Sequence, residues 1–483
     1  MSRILAPGRN CLHKVDVTDA GLLVDARDYY VSLYANLVRA ERYALIAGWQ
    51  FDSQVELLRG EDAASAAYPV ELRALLTALC RDKPDFRIYI LAWDYSAVFA
   101  LEREWMQRLV FDWTTPDAIS FRFDSLHAAG ASHHVKLAIV DGRIAFTGGV
   151  DLARSRWDDR RHAVDNAYRR EKDVPQKPYH DTMAYATGPV VRELEALFAA
   201  RWRQVTGEGL ELGEASPYRP IVERALPIRC NSVAIARTYR AENETERSVF
   251  EIRTLYEDGV LAAKQCVYIE TQYFTSRALH DALVQRMRAG ATERLQIVIM
   301  MPRGADTPKE GIAIGPAQDE ILSSLEAVAA ETGVALRILF SAARDAAGAL
   351  VPTFIHSKLL IVDNQLLTVG SANFTNRSLT LDTELNFAWE CGEADSDLAS
   401  DIARTRGSLL AEHAGVPESD ELQRLDGLVA RLDALIQSNG SKLQIRHPSE
   451  ESRVSEGRAL RLERIFDPDK PLTELELDEL LAG

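Results

Sequence analysis

Two residue pairs in this chain could share one piece of chemistry: His134 with Lys136, and His356 with Lys358. Along an extended strand, residues i and i+2 point to the same side. Each pair therefore sends an imidazole and an ammonium into one space while the residue between them faces away. Both segments, "HHVKLAIVD" and "IHSKLLIVD", continue into an apolar run suited to burial and end in an aspartate, Asp141 and Asp363. A lone His-x-Lys at a strand mouth is commonplace. Two copies at matched positions are not. If the two segments pack about a pseudo-two-fold axis, two imidazoles and two ammonium groups surround a single point.

Lysine is a compact cation that neutralises phosphate oxygens, and imidazole serves as nucleophile, acid or base near neutral pH. One neutral imidazole can attack phosphorus while the other, protonated, releases the alkoxide. The lysines stabilise the charge that grows on a pentacoordinate phosphorus. This does electrostatically what a divalent metal does elsewhere, so neither a metal nor another cofactor is expected. No HExxH or acidic metal cluster stands near the pairs, and a zinc role for these histidines would need Cys or His neighbours at ligand spacing.

The elements that must position the pairs also occur twice. Aligning His134 with His356 gives an offset of 222 residues (356 − 134), which carries Lys136 to Lys358, Asp141 to Asp363, Gly148 to Gly370 and Asp151 to Asn373. The same offset lays "LYANLVRAERYALIAGWQF" over "LYEDGVLAAKQCVYIETQY", bringing Gln50 onto Gln272. A period this long indicates a duplicated domain and not a solenoid repeat. In each half an amphipathic helix (Asp28 to Ala40; Val249 to Lys264) leads into an apolar strand, and helix and strand signals alternate thereafter. The fold class expected is α/β: two similar domains, each a mixed β-sheet buried on both faces and flanked by helices, packed with pseudo-two-fold symmetry. A helix with apolar spacing at Val191, Leu194, Leu197, Phe198 and Trp202 closes the first half. The turn-rich "ELGEASPYRPIVERALP" follows, placing the domains at 1–220 and 221–416. Residues 417–483 form a helical extension in which Leu422, Leu425, Leu428, Leu432 and Leu435 share one face, Asn439-Gly440 stops the helix, and Thr473 and Glu476 make a capping box.

These residues resemble the phospholipase D superfamily, whose signature is His-x-Lys-x4-Asp-x6-Gly-Ser-x-Asn in two copies. The second motif, His356, Lys358, Asp363, Gly370, Ser371 and Asn373, fits it completely; the first departs at its end, with Gly149 and Asp151 in place of Ser and Asn. "GGVDLARSRWD", "YHDTMAYATGPVV", "YIETQYFTS" and "RSLTLDTELN" look like the lipid-hydrolysing branch, so the likeness covers most of residues 20–415. The resemblance implies transfer of a phosphatidyl group to one histidine and then to water or another alcohol. By that analogy His134 is the nucleophile and His356 the acid and then the base, with the reverse assignment open. Lys136 and Lys358 clamp the phosphate, and Asn373, Ser371 and Gly149 line the substrate site. Asp141 and Asp363 belong to the catalytic motif, although their place further along the strands makes them structural partners rather than reacting groups. Asp181 and Glu384 are candidates to hold an imidazole Nδ1–H, or are helix-capping or solvated carboxylates. Gln50 and Gln272, near strand ends, line the cleft or satisfy backbone groups.

Composition narrows the substrate. With 56 Lys+Arg against 72 Asp+Glu the net charge is −16, which argues against a nucleic-acid polymer. A local exception is 153–172, with seven basic residues (Arg154, Arg156, Arg160, Arg161, Arg169, Arg170, Lys172) and four acidic ones; it reads as a solvated loop or a contact for lipid headgroups. Five scattered cysteines form neither a disulfide framework nor a zinc site. No apolar run is long enough to span a bilayer, and the start has no signal-peptide core. The expectation is a monomer, cytoplasmic or peripheral to a membrane, with export by another route left open. Its partners are a phospholipid and a water or alcohol acceptor. The reaction is phospholipase D-type hydrolysis of glycerophospholipids such as phosphatidylcholine, with transphosphatidylation. The alternatives are a cardiolipin-synthase-like phosphatidyltransferase, a nuclease or other phosphodiesterase, and a lipid-binding pseudoenzyme. Trp93, Tyr95, Phe99 and Trp105 offer aromatics for a bilayer interface or for a core.

Overall fold

The computed structural model describes residues 3–94, 115–171, 174–213, 217–241, 247–290, 294–392, 396–447 and 466–471. Apolar runs such as "YALIAG" and "CVYIE" become strands because β-branched and aliphatic side chains fit a pleated surface buried on both sides. Among the described residues these strands form two large mixed sheets with the same internal order. In the first half the neighbours run Asp19–Val24, Thr182–Thr187, Ile144–Gly148, Leu137–Val140, Tyr43–Gly48, Arg87–Trp93 and Ile119–Asp124. In the second they run Ser232–Tyr239, Glu384–Glu390, Leu366–Gly370, Leu359–Val362, Cys266–Glu270, Gln296–Met300 and Ala335–Arg344. The last three strands of each series are parallel and the others antiparallel, so the duplication holds down to strand direction.

The two sheets face each other across one continuous core. Leu22, Leu45 and Ile139 of the first sheet share it with Ile235, Tyr268 and Ile361 of the second, and the helix Val190–Thr206 contributes Leu194, Phe198 and Trp202. The outer face of the first sheet packs on the helices Asp25–Arg39 and Leu72–Asp82; that of the second packs on Glu251–Ala262 and Arg277–Arg288. The halves also interlock through their chain ends. His13–Asp16 pairs with Ser232–Tyr239 in the second sheet, while Leu226–Pro227 returns to pair with Asp19–Val24 in the first.

The two motif aspartates have identical structural work. Asp141 and Asp363 each sit at positive φ (50° and 54°) in the turn after the His-x-Lys strand, a conformation that aspartate tolerates better than most residues. The Asp141 carboxylate accepts from the backbone N–H groups of Glu41, Arg42 and Tyr43; Asp363 accepts from Lys264, Gln265 and Cys266. Each clamps its turn to the entrance of the neighbouring strand, and neither reaches the histidines.

The extension differs from one continuous helix. Asp420–Gln423 and Leu428–Gln437 are separate because Gly427 takes φ +65°, and Leu443–Ile445 pairs with Ala335–Arg344 at the edge of the second sheet. Thr473 and Glu476 lie outside the described residues, as do Tyr95, Phe99 and Trp105. Trp93 is not available to an interface: it is buried and stacks on Trp49 with ring centroids 5.8 Å apart. No helix among the described residues is long and apolar enough to cross a membrane.

Candidate active site

Each His-x-Lys segment enters its sheet beside a strand of the other half. The N–H of His134 donates to the carbonyl of Thr383 (2.9 Å), and the N–H of His356 donates to the carbonyl of His180 (2.8 Å). The next residue after each acceptor is a carboxylate that takes hold of the imidazole. His134 Nδ1 lies 3.1 Å from both Glu384 oxygens, and His356 Nδ1 lies 2.6 Å from Asp181 Oδ2. Each half thus orients the other half's histidine, by backbone and by side chain. His134 Nδ1 is also 2.9 Å from the Ser371 carbonyl, which can only accept, so Nδ1 carries the proton and Nε2 keeps its lone pair.

Both lysines are buried beside their histidines. Lys136 Nζ donates to the His134 carbonyl (3.0 Å) and pairs with Asp151 Oδ2 (3.2 Å). Lys358 Nζ donates to the His356 carbonyl and lies 3.1 Å from His356 Nδ1. The structure therefore gathers His134, Lys136, His356, Lys358, Asp181 and Glu384 into one site.

The family described as "Cardiolipin synthase, PLD-like domain" matches residues 260–405, the segment that carries the second motif. Phospholipase D A of Dictyostelium discoideum is 24% identical over 435 residues, covering 78% of this chain and 32% of that protein. Cardiolipin synthase A of Pseudomonas syringae pv. syringae is 29% identical over 313 residues, covering 63% of this chain and 53% of that protein. The chain belongs to the phospholipase D superfamily. In fold it is similar to the phosphatidylserine synthase of Haemophilus influenzae, with a TM-score of 0.54 at 12% identity over 97% of this chain and 96% of that one. The chain spans about a third and about a half of the lengths of the first two relatives.

The superfamily motif is asymmetric here for a steric reason. A Cβ on Gly149 would meet Asp181 Oδ1 at 2.0 Å, so the carboxylate that holds His356 fills the space where the second motif keeps the side chain of Ser371. The Gly149 N–H is spent on the Thr182 carbonyl (2.9 Å), so Gly149 makes room for Asp181 and does not offer its amide to substrate. Ser371 is also occupied internally. Its hydroxyl donates to Glu384 Oε2 (2.5 Å) and accepts from the Leu385 N–H (3.0 Å), which makes it a support for the carboxylate. Asp151, in the place of an asparagine, pairs with Lys136 and accepts from the N–H groups of Trp49 and Gln50 (3.1 and 3.0 Å). Its counterpart Asn373 is buried with an Oδ1 that has no hydrogen-bond partner. Gln50 lies beside Lys136 and Asp151 but accepts from Arg156 (2.9 Å), and Gln272 donates to the Tyr273 hydroxyl (2.7 Å); the symmetry seen in sequence is not kept in their contacts.

Much of the basic stretch after the first motif is spent on internal contacts, although Arg161 and Arg170 remain exposed and Lys172 lies outside the described residues. Arg154 pairs with Asp52, Arg160 with Glu412, Arg161 with Asp159 and Arg169 with Asp158, while Arg156 lies over the Tyr179 ring at 5.1 Å. Residue spacing did not single out Arg156, whose charge is one of the forces keeping His356 neutral. A cavity of about 260 Å³ borders Glu384 and is lined by Trp93, Val135, Leu137, Phe198 and Leu385, with Arg201 at its wall.

Burial governs the titration of the site. It lowers both imidazoles well below their ordinary value, with Lys136 and Lys358 acting in the same direction. Burial also raises Glu384 to about 7, against the pull of Ser371 and the lysines, and raises Asp181 to about 6 against Lys358. Lys358 is lowered by burial to about 7. An anion that binds between the lysines favours the ammonium form, so above pH 7 its binding must take up a proton. Affinity for a phosphate mimic such as tungstate should fall as pH rises from 7 to 9, by up to about tenfold per unit; calorimetry that finds no change would contradict the lowered Lys358. The steric account gives a second outcome. Gly149→Ala should displace Asp181 from His356 and reduce turnover by about a hundredfold, measured as kcat on folded protein.

Proposed function

We propose that the protein transfers a phosphatidyl group from a glycerophospholipid to an alcohol, in the manner of a cardiolipin synthase, with water as a competing acceptor. The observation that carries the reading is the pairing of two histidines, His356 buried and His134 with only 12% of its side chain exposed, each held at Nδ1 by the opposite half's carboxylate and each accompanied by a buried lysine. In the first step His134 Nε2 attacks phosphorus. The bond from phosphorus to the departing alcohol breaks, and His356 Nε2–H gives that oxygen its proton. In the second step His356 takes a proton from the incoming alcohol or water, whose oxygen displaces His134 from phosphorus. The superfamily chemistry needs no metal at phosphorus.

The direction of the assignment is supported by the two environments. His134 Nδ1–H is fixed by a carbonyl as well as a carboxylate, which leaves Nε2 free for attack. His356 faces Asp181 at 2.6 Å, a contact that favours the imidazolium a general acid must carry. An arriving anionic phosphodiester adds to that pull against the burial and cationic neighbours that keep His356 neutral without substrate. Lys136 and Lys358 neutralise the phosphate oxygens, and the free Oδ1 end of Asn373 suits a substrate hydroxyl or ammonium.

The family match and the similarity to Pseudomonas syringae cardiolipin synthase support an alcohol as acceptor. A specific observation also favours hydrolysis: the alignment with Dictyostelium phospholipase D A extends over 78% of this chain. The apolar cavity beside Glu384 suits a lipid tail better than a nucleotide. The net charge of −16, with the one basic stretch largely neutralised by internal carboxylates, supports a lipid over a nucleic acid.

Incubating the protein with a panel of phosphatidylcholine, phosphatidylethanolamine and phosphatidylglycerol, with and without glycerol, and reading products by mass spectrometry should reveal transferred phosphatidyl products and phosphatidic acid. His134→Ala and His356→Ala should each reduce both by at least about a thousandfold. Unchanged turnover in both variants, or cleavage of a plasmid and not of lipid, would overturn the reading.

A further inference from the structure

Behind the Asp181–His356 pair lies a second cluster that the phosphoryl chemistry does not use. Asp25, His162, His180 and Glu412 converge from the start of a helix, a loop, a short strand and a helix of the second half. Asp25, His162 and His180 are fully buried, and Glu412 is 7% exposed. Their facing atoms stand at ligand-to-ligand spacing. His162 Nε2 and His180 Nδ1 lie 3.0 and 2.7 Å from Glu412 Oε1, and the same nitrogens lie 3.5 and 3.2 Å from the two Asp25 oxygens. A tetrahedron with metal–ligand bonds of about 2.0–2.1 Å has edges of about 3.3 Å.

Three further observations point to an ion at the centre of this group. Asp25 Oδ2 is buried, aimed into the cluster, and has no hydrogen-bond partner. Asp25 and His162 both hold positive φ (67° and 42°), a left-handed state that aspartate and histidine adopt more readily than most residues but that still costs energy and is kept where the surroundings demand a particular placement. Each histidine turns its other nitrogen to a carboxylate outside the group: His162 Nδ1 to Asp158 Oδ2 at 3.0 Å and His180 Nε2 to Glu270 Oε2 at 3.0 Å. Carboxylates in that position fix the tautomer and raise the basicity of metal-bound imidazole. They are anchored in turn, Asp158 by Arg169 (2.9 Å) and Glu270 by Ser357 (2.6 Å) and His413 (2.9 Å). The first-half position that matches Glu270 is Gly48, so this network has no mirror image.

We propose that Asp25, His162, His180 and Glu412 bind one divalent transition-metal ion, with zinc the best fit to two imidazoles and two carboxylates. The site is structural, since it lies on the far side of Asp181 from the histidine pair. The ion takes the place of the protons on His162 Nε2 and His180 Nδ1, which pass to solvent, so charge is conserved. It fastens the helix Ser396–Ala414 to the first half. It also fixes the His180–Asp181 segment, whose carbonyl and carboxylate hold His356; Asp25 Oδ1 already accepts the Asp181 N–H at 3.2 Å.

The test uses full-length protein without a polyhistidine tag. Elemental analysis after purification without chelator should find one zinc per chain. Protein stripped by chelator and then titrated with zinc alone should take up one equivalent and melt at a higher temperature. X-ray absorption should give only nitrogen and oxygen ligands at about 2.0 Å. His162→Asn and Glu412→Gln should lose the ion, and His413→Gln should keep it. Stripped wild-type protein that binds no zinc and melts unchanged would overturn the proposal without reference to activity, and would leave the cluster a protonated ion-pair network.

Discussion

The structure depends on a reciprocal clamp: the histidine of each half is held by the carboxylate of the other. Glu384 and the Ser371 carbonyl orient His134, Asp181 orients His356, and the backbone bonds to Thr383 and His180 fix the register in which those side chains meet. Duplication alone would supply two copies of a motif. The clamp makes them one site, and it requires the two sheets to face each other at the distance set by the shared core of Leu45, Tyr268 and Trp202.

The clamp also explains why the halves have diverged. A shorter carboxylate, Asp181, reaches His356 from a position that collides with any side chain at residue 149, and glycine stands there. A longer one, Glu384, reaches His134 and is steadied by the Ser371 hydroxyl. The two imidazoles are chemically identical, yet one also bonds a carbonyl and the other also faces an ammonium group. Such unlike surroundings give the two imidazoles different proton affinities, which the proposed division into nucleophile and acid requires. Burial lowers Lys358 to about 7, and a phosphate that binds beside it favours the ammonium form, so binding and charging are coupled at that lysine.

Much of this was legible in the sequence because it is written in short-range spacing. The His-x-Lys alternation, the apolar runs and the 222-residue offset (356 − 134) identify strands, duplication and reacting groups. Asp181 and Glu384 were visible only as candidates, for they are 203 residues apart (384 − 181) and fall out of the main register. What spacing could not convey is where a side chain spends its charge. Ser371, Gly149 and the arginines after the first motif looked free to meet substrate, and the structure uses most of them internally, Arg160 against a carboxylate 252 residues away. The helix expected through Leu422 to Leu435 broke at Gly427, where a left-handed backbone outweighed apolar periodicity. The cluster of Asp25, His162, His180 and Glu412 has no sequence signature at all, because only the folded seam brings its members together.

The most direct test of the clamp is nitrogen NMR of the protein with ¹⁵N-labelled histidine. The account predicts that His134 carries its proton on Nδ1 and leaves Nε2 unprotonated at neutral pH. It also predicts that Glu384→Gln shifts the His134 nitrogens while leaving those of His356 in place, and that Asp181→Asn does the reverse. A proton on His134 Nε2, or a Glu384→Gln change felt at His356 and not at His134, would contradict it.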